Sequence, residues 1–149
     1  FITINSSFSQ IASNKNIDKV NSWISKKDNI NITITLDPKI PIVDKSTKIS
    51  FEVKKLNNSI NTNFANLTAK VTIADSDGRI FKFGQQYIID NKFIVNYIFP
   101  TNGTDRIILQ IYKNEIPFAI GSIDLNVPII QPQLSSPDNN FFTNLFKGL

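Results

Sequence analysis

The acidic tetrapeptide Asp75-Ser76-Asp77-Gly78 has the residue types of a metal site. It matches the D-x-D-G start of a calcium-binding loop, in which carboxylates one residue apart coordinate the same ion. The glutamate that closes such a loop at its twelfth position is missing, because that position is Gln86. The same four residues are typical of a tight turn between two strands. We therefore predict a β-hairpin turn here, with a weak calcium site completed by remote carboxylates as the alternative.

The chain has no Cys, His or Met, which excludes thiolate chemistry and the usual zinc, blue-copper and haem sites. The 12 acidic residues fall mostly at predicted turns, where Asp commonly bonds to the backbone. No G-x-S-x-G, S-x-x-K or phosphate-binding loop motif occurs. We expect no catalytic residues, no cofactor and no bound metal. An enzyme, the third functional hypothesis after an assembly protein and a binding module, would need a buried pair of carboxylates in a cleft.

Glycosylation motifs are the one positive signal of cellular context. The acceptor pattern N-x-S/T occurs five times, at Asn5, Asn31, Asn57, Asn66 and Asn102. Asn31 lies on the polar face of a predicted strand and the others lie in turns, tails or loops, so we expect all five to be accessible. Two interpretations stay open: the motifs follow from an Asn-rich composition, or they mark a glycosylated surface protein.

Charge and hydropathy exclude two further classes. The net charge is +4, and the 16 basic residues are spread along the chain rather than concentrated on one stretch, so we expect no nucleic-acid partner. No apolar run approaches the ~20 residues that span a bilayer. The sequence begins at Phe1, which fits a cut chain or a removed signal peptide. Loss of a membrane anchor, and proximity to a membrane, are left open.

Alternation of apolar and polar side chains predicts an all-β fold. The clearest strands are Asn29–Leu36, Lys48–Lys55, Leu67–Ala74 and Pro117–Val127, each with one apolar face. The segment Lys92–Lys113 has two such runs around Pro100–Thr104, which predicts a β-hairpin or an equivalent pair of central strands. Turn residues recur every 8–12 positions. We predict an immunoglobulin-like antiparallel β-sandwich of seven to nine strands with Greek-key connections, and a barrel is the alternative.

The two ends of the chain differ from this pattern. Asn16–Ser25 places Ile17, Val20, Trp23 and Ile24 on one helical stripe, which predicts a short helix. After Pro128 a Pro-rich linker leads to an apolar segment that ends at Leu149. That segment either folds back on its own domain or docks on another subunit or a membrane surface. The predicted organisation is an assembly segment at 1–28, a sandwich at 29–128, and a linker with an apolar end at 129–149.

The chain resembles the immunoglobulin-like (YtkA/FixH-like) domains common in archaeal extracytoplasmic proteins. The resemblance is carried by the runs ITLDPKIPIVDKSTKISFEVK, LTAKVTIADSDG, KFIVNYIFPTNGTDRIILQIYKN and IGSIDLNVP. They contain a D/P-x-x-P turn at Asp37–Pro41 and an F-x-V-x-Y-x-F-P-T-x-G-T step at Phe93–Thr104. The resemblance covers roughly Asn29 to Pro128 and implies an exported β-sandwich. Some relatives carry a His that suggests copper handling, and this chain has none, so that role is not transferred.

The leading functional hypothesis is a non-catalytic structural or assembly protein, secreted or at the cell surface. It would be a filament subunit or an accessory subunit of a membrane-bound complex, and its partners would be other protein subunits. The predicted partner-binding residues are Phe1, Ile2, Ile4, Phe141, Phe142, Leu145 and Phe146. Phe1–Ile4 would add as a strand to an open sheet edge of a neighbour. The alternative is a module that binds a glycan, peptide or small ligand, with Trp23 and Tyr112 as aromatic platforms.

Overall fold

A computed structural model describes residues 21–60 and 64–129. These residues form nine strands and no helix. The strands are Asn21–Ser25 (β1), Ile30–Asp37 (β2), Ser46–Lys55 (β3), Leu67–Ala74 (β4), Ile80–Lys82 (β5), Gln86–Tyr87 (β6), Lys92–Ile98 (β7), Gly103–Lys113 (β8) and Ile116–Val127 (β9). The prediction of an all-β chain with seven to nine strands is confirmed for this part of the sequence.

The strands form two antiparallel sheets around one core. The first has the order β1-β2-β3-β7; the second has the order β5-β4-β8-β9, with β6 also paired to β4. Each long strand alternates buried and accessible residues, as its sequence predicts, and the inward residues of both sheets form a single hydrophobic cluster. Its largest fully buried members are Phe51 and Phe99, with Ile and Val side chains around them. The two sheets therefore act as the layers of one packed unit.

The predicted helix is wrong for the residues that the structure describes. Asn21–Ser25 is strand β1, which pairs with β2 so that Trp23 lies opposite Ile32. The extended form points Trp23 into the space between the sheets. A helix this short is marginally stable in isolation and would need a partner to form. Tertiary pairing therefore overrides the helical stripe of the local sequence. The first half of that stripe, residues 16–20, lies outside the described residues.

The predicted hairpin between the two halves of Lys92–Lys113 is also wrong. Strand β7 pairs with β3 in the first sheet, and β8 lies between β4 and β9 in the second. The connection crosses from one sheet to the other at Phe99, which is fully buried and whose carbonyl oxygen accepts a hydrogen bond from the Asp44 N–H. As predicted, β8 is a central strand, but β7 is an edge strand of its sheet.

One side of the sandwich, where β1 and β9 are the edge strands, is closed by an aromatic side chain. The indole of Trp23 on β1 lies directly against the backbone of Gly121 on β9, where a methyl group would overlap the ring atoms. Ile32, Ile34, Ile107 and Leu109 surround the same small space beneath the ring. A glycine is required because only a residue without a side chain lets the indole approach the β9 backbone.

Replacing Gly121 with Ala is expected to destabilise the fold by about 1–3 kcal/mol, since the added methyl displaces Trp23. Gly84 is the matched control, because a side-chain carbon there meets no atom within 4 Å; Gly84→Ala should change stability by less than about 0.5 kcal/mol. Denaturant unfolding measures both. In a Trp23→Ala background the cost of Gly121→Ala should largely disappear, and a cost that persists would show that the contact is not the cause.

Candidate functional site: a cleft on the open side of the sandwich

Among the residues that the structure describes, none closes the side of the sandwich opposite Trp23. There the edge strands are β5 of one sheet and β7 of the other, and a cleft of about 450 Å³ lies between them. Its walls are mostly apolar: Ile80, Phe81, Tyr97, Ile98 and Pro100. Its polar part consists of Asp75, Arg79 and Asn96. An apolar cavity of this size with a few polar groups at one end is typical of a binding site.

The turn at Asp75–Arg79 forms the polar end of the cleft. The Oδ1 atom of Asp75 accepts hydrogen bonds from the backbone N–H groups of Asp77 and Arg79, at 3.0 and 2.8 Å. Its Oδ2 accepts one from the Arg79 Nε at 2.7 Å. Burial raises the pKa of Asp75, but the hydrogen bonds and charge of Arg79 outweigh it, so the pKa is lowered overall. The predicted hairpin turn is confirmed, and its carboxylate is fully occupied by its own turn.

A second carboxylate, Asp105, lies buried at the same end of the sandwich. The side chain has no exposure, and neither oxygen has a hydrogen-bond partner among the described residues. Burial raises the pKa of Asp105 to about 6, and the repulsion of Asp75 adds to this effect. The backbone N–H of Ser76 lies near enough to favour the anion, though not in the geometry of a normal hydrogen bond. Asp105 is thus a buried acid in a poorly compensated position.

These two carboxylates are not arranged for acid–base catalysis. A catalytic acid or base has to reach the proton that it transfers. The oxygens of Asp105 are shielded from solvent, and those of Asp75 accept three hydrogen bonds within the turn. The described residues contain no group of three or more acidic side chains that could hold a metal ion. The carboxylates at this end of the cleft are therefore either engaged in the turn or shielded from solvent.

A row of aromatic rings forms the floor of the cleft. Phe81 on β5 packs against Tyr97 on β7, with ring centroids 5.6 Å apart, and against Phe83 at 4.8 Å. Tyr97 in turn meets the buried Phe99 edge to face at 4.8 Å. The row thus connects the two sheets across their open side. Phe81 remains 50% exposed, so it offers a ring surface to anything that enters the cleft.

The outer face of β7 continues this apolar surface. Ile94 and Ile98 point away from the core and are 49% and 55% exposed. Only Asn96 lies between them on that face. Because β7 pairs with β3 along one edge, alternate backbone donors and acceptors face the other side. Those of Lys92 bond to Ile89, and those of Ile94, Asn96 and Ile98 have no strand beside them among the described residues.

The predicted glycosylation residues differ in how accessible they are. Asn57, Asn66 and Asn102 are exposed, while Asn31 is only partly exposed and its Oδ1 is shielded from solvent. In the Asn57 motif, the Ser59 hydroxyl donates a 2.7 Å hydrogen bond to Asn57 Oδ1. Asn5 lies outside the described residues. Occupancy of these residues stays a prediction, and Asn31 is the least accessible of the four described.

The predicted partner residues Phe1, Ile2, Ile4, Phe141, Phe142, Leu145 and Phe146 all lie outside the described residues. Of the two proposed aromatic platforms, Trp23 is committed to packing on Gly121. Tyr112 lies on the outer face of the second sheet, with the Lys70 ammonium 5.1 Å from its ring centroid. Neither lines the β5–β7 cleft.

Sequence reasoning missed the cleft residues Arg79, Phe81 and Tyr97, because it assigned them only to strands and turns. For Asp105 a signal was present. It shares the inward face of β8 with Ile107, Leu109 and Ile111, so period-two alternation alone places its carboxylate in the core.

In the described part of the chain no helix is long and apolar enough to span a membrane.

Because its pKa is raised on folding, Asp105 should make the protein less stable as pH rises. The unfolded carboxyl titrates near 3.8 and the folded one at about 6, so the folded state binds more protons in this window and stability falls until about pH 6. Between pH 4.5 and pH 7.5 the free energy of unfolding should therefore fall by about 1–2 kcal/mol more in the wild type than in Asp105→Asn.

The control is Asp124→Asn, which removes an exposed carboxylate paired with Arg106. An exposed ion pair contributes little, so this variant should keep the wild-type pH dependence to within about 0.5 kcal/mol. If Asp105→Asn also retains the wild-type dependence, Asp105 is not the group responsible.

No known family model matches the sequence, and no curated protein is similar to it in sequence. Among solved structures, the fold is weakly similar to the crystal structure of the soluble domain of PmoD from Methylocystis sp. (strain Rockwell). The TM-score is 0.46 at 15% sequence identity, over 72% of this chain and 95% of that chain. A similarity at this level supports no inference about partners or activity.

Proposed function

We propose that this chain is a non-catalytic structural or assembly protein that acts outside the cytoplasm. It serves as a subunit of a surface filament or as an accessory subunit of a membrane-bound complex, and it contacts neighbouring subunits through its terminal segments. The observation that carries this proposal is the open side of the sandwich. There an unpaired strand edge, two exposed Ile side chains and an apolar cleft lie side by side. Exposed apolar surfaces of this kind usually mark contacts with other molecules.

The proposal includes an immunoglobulin-like fold, and the strand order supports it. The order β2-β3-β7 faces β4-β8-β9. In chain order this corresponds to strands A, B and E of an immunoglobulin-like sandwich facing C, F and G. Strand β1 then extends the first sheet beyond A, and β5 extends the second beyond C. The edge of strand E is the one left open here, since no described strand takes the place of D.

Accessible glycosylation motifs support the extracytoplasmic part of the proposal. Asn57, Asn66 and Asn102 are exposed, while Asn31 is partly shielded. Mass analysis of peptides from protein isolated from its native host should therefore find N-linked glycan on one or more of the three exposed residues and none on Asn31. Unmodified peptides at all three exposed residues would leave the surface location without its main support.

Deleting Phe1–Ser7 is expected to abolish assembly and leave a folded monomer, because the proposal assigns the contact to this terminal segment. Sedimentation velocity of the full-length and shortened chains measures the mass of each. Circular dichroism with a thermal melt checks that both are folded. Assembly that survives the deletion would show that the first seven residues do not make the contact.

The second candidate is a ligand-binding module, and the exposed face of Phe81 in the cleft favours it. Sugars and small apolar ligands stack on such rings. The deletion variant, which is expected to be a monomer, is the protein to titrate with a panel of mono- and disaccharides. Saturable NMR shifts confined to Phe81, Tyr97 and Arg79 would favour this module over the assembly protein.

A further inference from the structure

Strand β7 has the residue pattern of a central strand but lies at the edge of its sheet. Its inward side chains Phe93 and Val95 are buried, and two of its four outward side chains, Ile94 and Ile98, are also apolar. Edge strands usually carry Lys, Pro or a bulge that prevents a further strand from pairing. In β7 only the first outward residue, Lys92, is charged, and its backbone is already paired with Ile89. The remaining outward residues are Ile94, Asn96 and Ile98, and the β3–β7 register is uninterrupted, so the stretch Ile94–Ile98 lacks the features that discourage a further strand.

The β5–β7 cleft lies beside this edge. A strand hydrogen-bonded to β7 would lie over the cleft, with alternate side chains directed at the rings of Phe81 and Tyr97. The main-chain bonds would complete the backbone pairing of β7, and the inward side chains would cover apolar surface now in contact with water. On the opposite side of the sandwich Trp23 already closes the corresponding gap.

We propose, building on the assembly function above, that this edge of β7 accepts the segment Phe1–Ile4 from a second copy of the chain. In an extended segment Ile2 and Ile4 share one face, so both pack on the aromatic floor of the cleft. Thr3 faces outward beside Asn96. The four residues carry no charged side chain, so none has to be buried or neutralised against the apolar walls.

The direction of the strands favours a second copy over the same chain. Asn21 pairs with Ile34, and from there β2 runs towards the end of the sandwich that holds the cleft. The chain before Asn21 therefore leaves β1 in that direction. The shortest path back to β7 would lay Phe1–Ile4 parallel to it, whereas the named ladders of the described residues are all antiparallel. A segment from a second copy can approach β7 in either direction, so it can form the antiparallel pairing, which is the more stable one.

The absence of cysteine from the sequence makes disulfide trapping a clean test. A Thr3→Cys chain is mixed under oxidising conditions with an isotope-labelled chain carrying Ile94→Cys, Asn96→Cys or Ile98→Cys. The matched control is Ile120→Cys on β9, an outward Ile of another edge strand that is 63% exposed. At least one β7 position should give tenfold more mixed disulfide than the control, measured by mass spectrometry.

A double variant Thr3→Cys/Asn96→Cys, oxidised at high dilution, tests the source of the strand. Dimers linked between chains support the second copy, and a monomer closed by an internal disulfide overturns it. Equal trapping at β7 and at Ile120 overturns the β7 assignment altogether. In chains that carry only Asn96→Cys, a disulfide between two β7 strands would show that the β7 edges of two copies pair with each other, and it would overturn the assignment of Phe1–Ile4 as the partner of β7.

Association without cysteines gives an independent measurement. Ile94→Lys with Ile98→Lys places charge on the accepting edge, and it should weaken association at least tenfold while the thermal melt stays that of a folded protein. Ile120→Lys should leave association unchanged.

If deletion of Phe1–Ser7 abolishes assembly but the β7 variants assemble normally, the assembly function stands and β7 is not the acceptor. If the deletion leaves assembly intact, the proposed role of the terminal segment fails, whatever the β7 variants do.

Discussion

Every open β-sheet ends in a strand whose outer edge has unpaired backbone groups, and the way these edges are covered distinguishes the two sides of this sandwich. The two sheets meet the constraint differently on their two sides. Between β1 and β9 the indole of Trp23 rests on Gly121 and closes the gap over the core. Between β5 and β7 the described residues span the gap with a row of rings, and a cleft remains beside the outer edge of β7. In the described part of the chain, one side of the sandwich is therefore closed and the other presents a strand edge and a cleft.

The polar groups near the cleft serve its architecture. Asp75 holds the turn through its hydrogen bonds to Asp77 and Arg79. Gly103 lets that turn approach the crossover connection closely, because a side-chain carbon at this position would lie 2.6 Å from the Cβ of Ser76. Asp105 lies beneath the turn without a full partner, and its raised pKa is the cost of that position. The turn between β4 and β5, which forms the polar end of the cleft, is therefore fixed by its own hydrogen bonds and by close packing on the crossover connection.

Much of the fold was predictable because a period of two is a local signal. The inward faces of β2, β3, β4 and β8 follow from alternation alone. The turn at Asp75–Gly78 follows from its Asp and Gly residues, which are also a local signal. Sheet membership was not predictable, because pairing of β7 with β3 rather than β8 depends on contacts between distant parts of the chain. The same limit explains the wrong prediction of a helix at Trp23, because packing of its indole on Gly121 depends on a distant strand. The cleft combines β5, β7 and a turn, so only the tertiary structure brings Arg79, Phe81 and Tyr97 together.

The proposed contact of this protein with its partner is the open edge of β7. Amide hydrogen exchange, compared between the assembled full-length chain and the folded monomer lacking Phe1–Ser7, tests it residue by residue. Exchange should slow on assembly at Ile94, Asn96 and Ile98, whose N–H groups face the open edge and gain partners, while the outer edge of β9 is unchanged. Protection that appears along Ile116–Val127, with β7 exchanging equally in both states, would contradict it.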